Sequence, residues 1–261
     1  MQQNNNNKTV NNSACLDVNS LMFEKFIIYL SLQKNYIRDI NIPCIKNFKI
    51  YKSYDKIKFM GNEFNLPDNI SKQAKEELEK LLKGNRNFVS GIPNAQNMCV
   101  ETLKKLALHQ KPYAAVLACS DSRTIPEIIF DCGIGELFVV RVAGITTGPN
   151  IIESIEYSIQ TLEVPLVILL GHDDCGVMKY ANAQFPDEPA YYKSIMSCVY
   201  PALDDDDYNL HANEIAKKHT HYVRDVLMER SEIIRNAVEE GKTHIAICHF
   251  DHSTGLVDLI D

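Results

Sequence analysis

Short apolar runs alternate with amphipathic stretches along most of the chain, and the two patterns predict different elements. Runs in which nearly every position is apolar are typical of strands buried on both faces of a parallel sheet. Such runs cover residues 113–119, 136–143, 165–170 and 243–249. Helical periodicity, or helix start and stop signals, predicts helices over residues 71–83, 98–109, 126–130, 151–162, 175–183 and 214–240. The alternation predicts an α/β fold, a mostly parallel central sheet of about five strands flanked by helices.

The same pattern gives four local expectations. Phe138-Val139-Val140 is too apolar for an exposed sheet edge, so the second strand is expected inside the sheet. Residues 184–210 show no period and are expected to be irregular. Within them, the run Asp204 to Asp207 is expected to be a solvated loop, because nothing spaces its carboxylates for cation binding. Residues 251–255 form a predicted turn into a short last strand.

The first 67 residues differ in composition from the rest of the chain. Residues 1–12 are rich in Asn and Gln and have no apolar face, which is typical of a low-complexity tail. Residues 20–34 have a helical pattern, and Leu66-Pro67-Asp68 marks a predicted boundary. We therefore expect an N-terminal extension with a helical part over residues 1–67, followed by one globular domain over residues 68–261.

Charge and hydropathy bear on the partners of the two parts. Residues 1–60 contain nine Lys and Arg against four Asp and Glu, a charge of +5, whereas the whole chain carries −7. The remainder therefore carries −12, and an acidic body does not favour nucleic acid as a partner. The apolar segment Leu21 to Leu32 is interrupted by Glu24 and Lys25, so we expect neither a membrane-spanning helix nor a signal peptide there.

Two of the predicted strands lead into clusters of reactive side chains. Cys-Ser-Asp-Ser-Arg covers residues 119–123, and His-Asp-Asp-Cys-Gly covers residues 172–176. Because sites in open α/β sheets form outside the carboxyl ends of the strands, the two clusters are expected side by side. Cys119, His172 and Cys175 would then offer two thiolates and one imidazole to a single metal ion.

The donor set indicates which metal and what chemistry. Sulfur and nitrogen donors select zinc over magnesium or calcium, and three protein ligands leave a position for water, as in catalytic zinc sites. Zinc lowers the pKa of bound water to about 7, so hydroxide becomes available at neutral pH. Asp121 and Arg123 place an acceptor and a cation next to Cys119, which indicates a hydrolase or hydratase. The competing interpretation makes Cys119 and Cys175 buried core thiols.

Cysteine usage indicates the compartment. The eight cysteines are scattered, unlike the framework of a small secreted protein. A thiolate metal site and free thiols favour a reducing compartment, so a cytoplasmic protein is expected. Mitochondrial targeting by the basic extension competes, but the extension contains acidic residues and little Arg. The cluster His211, His219 and His221 lacks a cysteine or carboxylate to complete a metal set, so these are expected to be surface histidines.

These motifs resemble those of the beta-class carbonic anhydrases, zinc enzymes that hydrate carbon dioxide. The resemblance runs from about residue 73 to residue 261 and rests chiefly on the two metal motifs. It implies one zinc ion per subunit on Cys119, His172 and Cys175, and zinc-hydroxide attack on carbon dioxide to give bicarbonate and a proton. Supporting matches lie at residues 82–89, 136–144, 154–157, 244–250 and 255–259.

The resemblance also implies roles for two residues beside the metal. Asp121 would accept a hydrogen bond from the zinc-bound hydroxide and aim it at the substrate. It could instead bind the metal as a fourth ligand and close the site. Arg123 would decide between these states by holding Asp121 in a bidentate pair. A structural ion pair is the competing interpretation.

A substrate pocket is implied in the same way. Gln110 would donate to a substrate oxygen, Phe138 and Tyr157 would line a small apolar pocket, and Gly176 would keep the backbone close to the metal. Core packing, for Phe138 and Tyr157, and a plain helix start, for Gly176, are the competing interpretations. In the family this pocket draws on two subunits, so a homodimer or higher homo-oligomer is implied. One departure from the family is Ile145, which follows Ala143-Gly144 where Asn is common.

Two other functions stay open on the sequence. Related proteins with this fold and metal site hydrolyse carbon disulfide or carbonyl sulfide, and access to the pocket distinguishes them. A zinc-binding protein without catalysis is the third reading, and the presence of both Asp121 and Arg123 argues against it.

Overall fold

The structure is a computed structural model that describes residues 70–94, 97–204, 207 and 210–261. The boundary predicted near residue 67 and the N-terminal helical extension lie outside these residues and stay predictions. The helices of the described residues are α1 (Lys72–Val89), α2 (Val100–Lys105), α3 (Pro126–Ile129), α4 (Pro149–Gln160), α5 (Gly176–Gln184), α6 (Lys193–Val199), α7 (Ala212–Arg230) and α8 (Glu232–Glu239). The strands are β1 (Ala114–Ala118), β2 (Leu137–Arg141), β3 (Leu166–His172), β4 (His244–Phe250) and β5 (Val257–Leu259).

The five strands form one sheet in the order β2-β1-β3-β4-β5. The first four are parallel, and β5 returns antiparallel to β4. The predicted mostly parallel α/β sheet flanked by helices is therefore confirmed. Because β1 and β3 are neighbours in register, with Ala118 opposite Leu170, their carboxyl ends lie together at one edge of the sheet.

The sheet has a hydrophobic core on each face. Alternate residues of β1 divide between the two cores, Ala115 and Leu117 on one face and Ala114, Val116 and Ala118 on the other. Strands β1, β3 and β4 bury nearly all of their side chains because helices cover both faces of the sheet. The first core packs against α4 and α7, and the second packs against α1 and α3.

Helix α1 begins and packs as its sequence predicts, although it extends to Val89 rather than Lys83. The Ser71 hydroxyl accepts a hydrogen bond from the Ala74 amide at 3.3 Å and caps the helix. Buried Asn85 then joins the helix to the sheet. Its amide donates to the carbonyls of Ile129 and Gly255, and its oxygen accepts from the Val257 amide at 2.9 Å.

Strand β2 corrects one expectation from the sequence. It lies at the edge of the sheet in this chain, and three of its five residues, Leu137 to Val139, are only half-buried. Helix α4 covers one face of β2. The apolar run therefore reflects packing on that face, since β2 has one neighbouring strand among the residues that the structure describes.

The segment predicted to be irregular contains helix α6 and a following 3₁₀ turn, Tyr200–Ala202. Burial of Met196 and Val199 against the core stabilises this helix. Asp207 is also not a solvated loop residue. It is buried, it forms an ion pair with Lys218, and its carboxylate accepts a hydrogen bond from the Asp204 amide at 2.9 Å.

Three further helix predictions need correction. The helix predicted over residues 98–109 is shorter, Val100–Lys105. The long helical segment is interrupted at Ser231, whose extended backbone ends α7 and whose hydroxyl caps α8. His219 is fully buried on α7 and is not a surface residue, because it continues the apolar stripe of Ile215 and Val223. Within the described residues, each helix is too short or too polar to cross a bilayer.

Candidate metal centre

Three buried side chains meet at the carboxyl ends of β1 and β3. Cys119 follows β1 directly, His172 is the last residue of β3, and Cys175 precedes helix α5 as its N-cap. Their ligand atoms all lie within 4.8 Å of one another. The predicted cluster is therefore assembled by adjacent strands, as the sequence argument required.

The geometry and chemistry of these atoms fit a zinc ion. His172 Nδ1 lies 2.7 Å from the Asp173 carbonyl oxygen, so Nδ1 donates and Nε2 keeps a free lone pair. That Nε2 atom is buried and has no hydrogen-bond partner among the described residues. Two thiols and one imidazole are ligands that zinc prefers. Tetrahedral zinc with ligand bonds of about 2.0–2.3 Å holds its donor atoms roughly 3.5–3.8 Å apart, within the spread of this cluster.

The two thiols differ strongly in their electrostatics. The neighbouring Cys175 thiol lowers the pKa of Cys119 to about 4 against the effect of burial, and the nearby His172 ring and the Gly144 amide, which donates to the sulfur, act in the same direction. The same contact with Cys119, together with burial, raises the pKa of Cys175. Burial would lower the pKa of His172, but its proximity to Cys119 and the hydrogen bond from Nδ1 to the Asp173 carbonyl raise it on balance. A bound metal ion would displace the proton of Cys175, since a coordinating thiol is deprotonated.

Asp121 and Arg123 form the predicted bidentate pair on the outer side of Cys119. Arg123 Nε donates to Asp121 Oδ1 at 2.9 Å, and Nη2 donates to Oδ2 at 2.8 Å. The Arg123 backbone amide also donates to Oδ1 at 2.9 Å. These hydrogen bonds from Arg123 hold the pKa of the Asp121 carboxyl well below its usual range, although burial opposes them. Asp121 is therefore an ionised acceptor with a fixed orientation.

Arg141, the last residue of β2, holds the Cys119 loop from its other side. Its guanidinium donates to the backbone oxygen of Cys119 at 3.0 Å and to that of Asp121 at 2.6 Å. The sequence argument missed this role. The two donors of one guanidinium reach the carbonyls on either side of Ser120, so the backbone that carries Cys119 and Asp121 is held by the edge strand.

A cleft of about 500 Å³ opens in front of the cluster. Asp121 and Gly176 line it together with Cys119 and Cys175, and the predicted role of Gly176 beside the metal stays a prediction. The rest of the lining is mainly apolar and comes from β2's following turn, α5 and α6, namely Ala143, Val177, Tyr180, Tyr192, Ile195 and Met196.

The other predicted pocket residues do not line this cleft within one chain. Gln110 is exposed before β1. Phe138 on β2 and Tyr157 on α4 pack together with ring centroids 6.0 Å apart, and the Tyr157 side chain is half exposed. Their predicted part in the substrate pocket requires a second subunit and stays a prediction.

Histidines outside the ligand set support the centre, and the sequence argument missed them. His249 Nε2 lies 2.9 Å from the carboxylate of Asp173, the residue directly after His172. The ring of His252 lies against the ring of His172, with centroids 4.9 Å apart and ring planes tilted by 48°, and its Nε2 lies 3.1 Å from the Thr124 hydroxyl. His249 lies in β4 opposite Gly171 of β3, and His252 follows the end of β4, so both lie near the carboxyl end of β3.

Comparison with known proteins adds independent findings. A family model described as "Carbonic anhydrase" matches residues 114–257. A carbonic anhydrase 2 from Mycobacterium tuberculosis is 37% identical over 170 residues, which is 63% of this chain and 82% of that protein. A carbonic anhydrase from Pseudomonas aeruginosa is 29% identical over 173 residues, covering 62% of this chain and 79% of that protein.

Solved structures with the same fold include the beta-carbonic anhydrase CcaA. It has a TM-score of 0.55 at 21% identity and covers 71% of this chain and 95% of that chain. A tetrameric beta-carbonic anhydrase of the ascomycete Sordaria macrospora has a TM-score of 0.53 at 22% identity, covering 71% of this chain and 97% of that chain.

Proposed function

The chain belongs to the beta-class carbonic anhydrase family, and on that premise we propose that it catalyses the reversible hydration of carbon dioxide to bicarbonate and a proton. The observation that carries the proposal is the convergence of Cys119, His172 and Cys175 beside an Asp121 that Arg123 holds ionised. A zinc-binding protein without catalysis would need the three ligands but no oriented carboxylate next to them.

Cys119, Cys175 and His172 Nε2 would hold the zinc ion as two thiolates and one neutral imidazole. Zinc, when bound, acts as a Lewis acid that brings the pKa of a coordinated water to about 7. The chain orients its own ligands for this role. The Asp173 carbonyl accepts from His172 Nδ1 and fixes the tautomer that leaves Nε2 free for the metal.

Asp121 supplies an acceptor at a fixed position next to the ligand cluster. Its carboxylate is ionised, so it can only accept a hydrogen bond and can orient the group that donates it. Arg123 occupies both carboxylate oxygens, which keeps the carboxylate aimed along the cleft and disfavours its movement onto the metal. The cleft favours an apolar substrate, because its walls beyond Asp121 are mainly apolar.

We infer that the working form is a homo-oligomer. Exposed apolar side chains lie on and beside α2 and in the turn that leads into the edge strand β2, namely Met98, Val100, Leu103, Leu108 and Ile134. The Asn97 carbonyl accepts a hydrogen bond from the Ile134 amide, so the turn before β2 lies next to the segment that leads into α2. Patches of this kind mark interfaces between proteins. The tetrameric form of the Sordaria macrospora relative supports the same inference.

A cytoplasmic location is proposed from the thiols. The six cysteines of the described residues are all free. Two of them are the metal ligands, which must stay reduced to bind zinc. A reducing compartment meets this requirement. Fluorescent fusion to the full chain would test it, and accumulation in mitochondria would favour the competing targeting interpretation.

The proposal is tested by removing one ligand. We expect purified protein to bind one zinc ion per chain and to hydrate carbon dioxide, and we expect Cys175→Ala to lose both properties. Zinc would be measured by atomic absorption and activity by stopped-flow. Cys248→Ala is the control, because Cys248 is a fully buried thiol on the opposite face of the sheet. Equal zinc content in Cys175→Ala and the parent would refute the assigned centre.

A further inference from the structure

The turn after β2 has a backbone conformation that its own sequence does not favour. Gly144 has φ +67° and Ile145 has φ +48°, so two successive residues lie in the left-handed region. This is a genuine outlier for a β-branched residue and costs about 1–3 kcal/mol, so surrounding structure must hold it. Ile145 is the position at which the sequence departs from its family.

The turn matters because it touches a metal ligand. The Gly144 amide donates to Cys119 Sγ at 3.4 Å, in the range expected for a hydrogen bond to sulfur. A side chain at Gly144 would also place its Cβ 2.6 Å from Val177 Cγ1 on α5. The turn is therefore packed between a ligand sulfur and the helix that Cys175 caps, and a small change in its conformation would move the amide off the sulfur.

His219 on α7 is the group that reaches this turn from the opposite side. Its Nε2 lies 3.0 Å from the Gly144 carbonyl oxygen, 75 residues away in sequence. A carbonyl can only accept, so Nε2 carries the proton and the neutral ring is the Nε2–H tautomer. The side chain is fully buried.

We propose that His219 is a positioning residue of the metal centre, which holds the strained turn so that the Gly144 amide can donate to the sulfur of Cys119. This inference deepens the proposed function and rests on the zinc centre described above. His219 does not touch the metal ligands in this account. It acts on them through one carbonyl and one amide of the same glycine.

A purely structural role accounts less well for a histidine at position 219. Within the described residues, His219 Nδ1 is buried without a hydrogen-bond partner. An unsatisfied buried acceptor costs about 1–3 kcal/mol, which an apolar side chain of similar volume at this place would avoid. Burial lowers the pKa of His219 to about 4, so the ring is not retained there for its charge. The single hydrogen bond to Gly144 is the feature that an apolar residue would lack.

The test compares two substitutions and one control on zinc-loaded full-length protein. His219→Phe keeps a ring but removes the donor, whereas His219→Gln keeps an N–H that can reach the carbonyl. His244→Phe is the control, because His244 is a partly buried histidine at the opposite, amino end of β4 with an unpartnered Nε2. Zinc affinity is measured by chelator competition. The sulfur-to-metal charge-transfer band is measured after replacement of zinc by cobalt.

We expect His219→Phe to weaken zinc binding by about 10-fold or more, the usual effect of losing an outer-shell partner. We expect its charge-transfer band to move to longer wavelength, since the sulfur loses a hydrogen-bond donor. His219→Gln should stay within about threefold of the parent, and His244→Phe should match it. A folded His219→Phe with the zinc affinity and cobalt spectrum of the parent would overturn the proposal. Equal weakening in His219→Phe and His219→Gln would also overturn it.

A measurement on the unsubstituted protein covers the case in which His219→Phe fails to fold. Nitrogen NMR of the imidazoles should give the Nε2–H tautomer for His219, with Nδ1 unprotonated, in metal-free as well as zinc-loaded protein. The Nδ1–H tautomer would overturn the proposal. Failure of the proposed function is a different result, because unsubstituted protein would then hydrate no carbon dioxide while its zinc affinity and the His219 tautomer could still be measured.

Discussion

At the scale of single residues, contacts with Arg123 fix the ionisation state and the orientation of the Asp121 carboxylate. The pKa of its carboxyl is well below the ordinary value, chiefly because the Arg123 guanidinium donates to both oxygens. The stability that this pair contributes is fully present above the unfolded-state pKa of about 3.9. It is lost only as the pH falls through the lower folded-state pKa. Any change of activity near neutral pH must therefore come from another group.

Replacement of Asp121 tests its role as an oriented acceptor. We expect Asp121→Asn to reduce kcat/KM for carbon dioxide hydration by about 100-fold or more, because an amide places a donor where the anion accepted. Zinc content should not change, since Asp121 lies outside the ligand set. Stopped-flow rates and metal analysis on the same sample check both parts.

Asp174→Asn is the matched control for this substitution. Asp174 lies next to Cys175, and its exposed carboxylate pairs with Lys179 at 2.7 Å. Its removal should leave the rate within about twofold of the parent, as for other exposed ion pairs. An Asp121→Asn protein that hydrates carbon dioxide as fast as Asp174→Asn would contradict the assigned role.

The candidate metal ligands could be predicted from short sequence motifs, whereas the residues of other elements that hold their backbone in place could not. Cys119, His172 and Cys175 were placed together because two strand-end motifs point to one edge of the sheet. Arg141 and His219 act through backbone atoms of other elements, and nothing in a sequence marks which carbonyl a side chain will reach. The period of Ile215, His219 and Val223 could have shown that His219 is buried, but not what it binds.

At the scale of elements, the close packing of α1 against the end of α3 depends on the absence of a side chain at Gly84. A Cβ added at Gly84 would lie 1.9 Å from the backbone oxygen of Phe130. Backbone atoms cannot rotate away as a side chain can, so the helix would have to move off the residues after α3. The same residues anchor the buried amide of Asn85 through the Ile129 carbonyl.

Gly84→Ala has two opposing effects on the free energy of unfolding. Alanine is preferred over glycine in a helix interior by about 0.8–1 kcal/mol, whereas overpacking of this kind costs typically about 1–3 kcal/mol. With a backbone contact this short we expect the clash to dominate, with a net loss of about 1–2 kcal/mol. Urea unfolding followed by circular dichroism measures it. Lys83→Ala, an exposed position on the same helix, should be close to neutral, and a Gly84→Ala protein more stable than the parent would be contrary to this packing.

Element types were more predictable than element neighbours. The apolar runs identified the parallel strands because burial on both faces demands such runs, but they could not distinguish an edge from an interior position. Phe138 to Val140 illustrates this, since α4 covers them on one face and leaves the strand at the edge. Helix α6 was missed because it is seven residues long and is stabilised by tertiary burial of Met196 and Val199 rather than by periodicity.

At the scale of the whole molecule, the apolar patch around α2 leads to a prediction about assembly. Leu103 is 55% exposed in the single chain. We expect Leu103→Glu to dissociate the oligomer and to lower activity with it, because the predicted roles of Gln110, Phe138 and Tyr157 need a second subunit. Analytical ultracentrifugation should give a multiple of 29.6 kDa for the parent and the single-chain mass for the variant.

Lys104→Glu controls for the added charge on the same helix, since Lys104 is exposed and polar. We expect it to leave the oligomer intact. A parent protein that sediments at the mass of one chain, yet retains full activity, would rule out the shared pocket.

The central claim is that the Cys119–His172–Cys175 centre hydrates carbon dioxide. Stopped-flow measurement of carbon dioxide hydration, from about pH 6.5 to about pH 9, on protein of known zinc content tests it most directly. The account predicts a rate that is proportional to bound zinc and that rises with pH through the ionisation of zinc-bound water near pH 7. Absence of carbon dioxide hydration at full zinc occupancy would contradict it. Turnover of carbon disulfide or carbonyl sulfide by the same sample would then identify the alternative substrate.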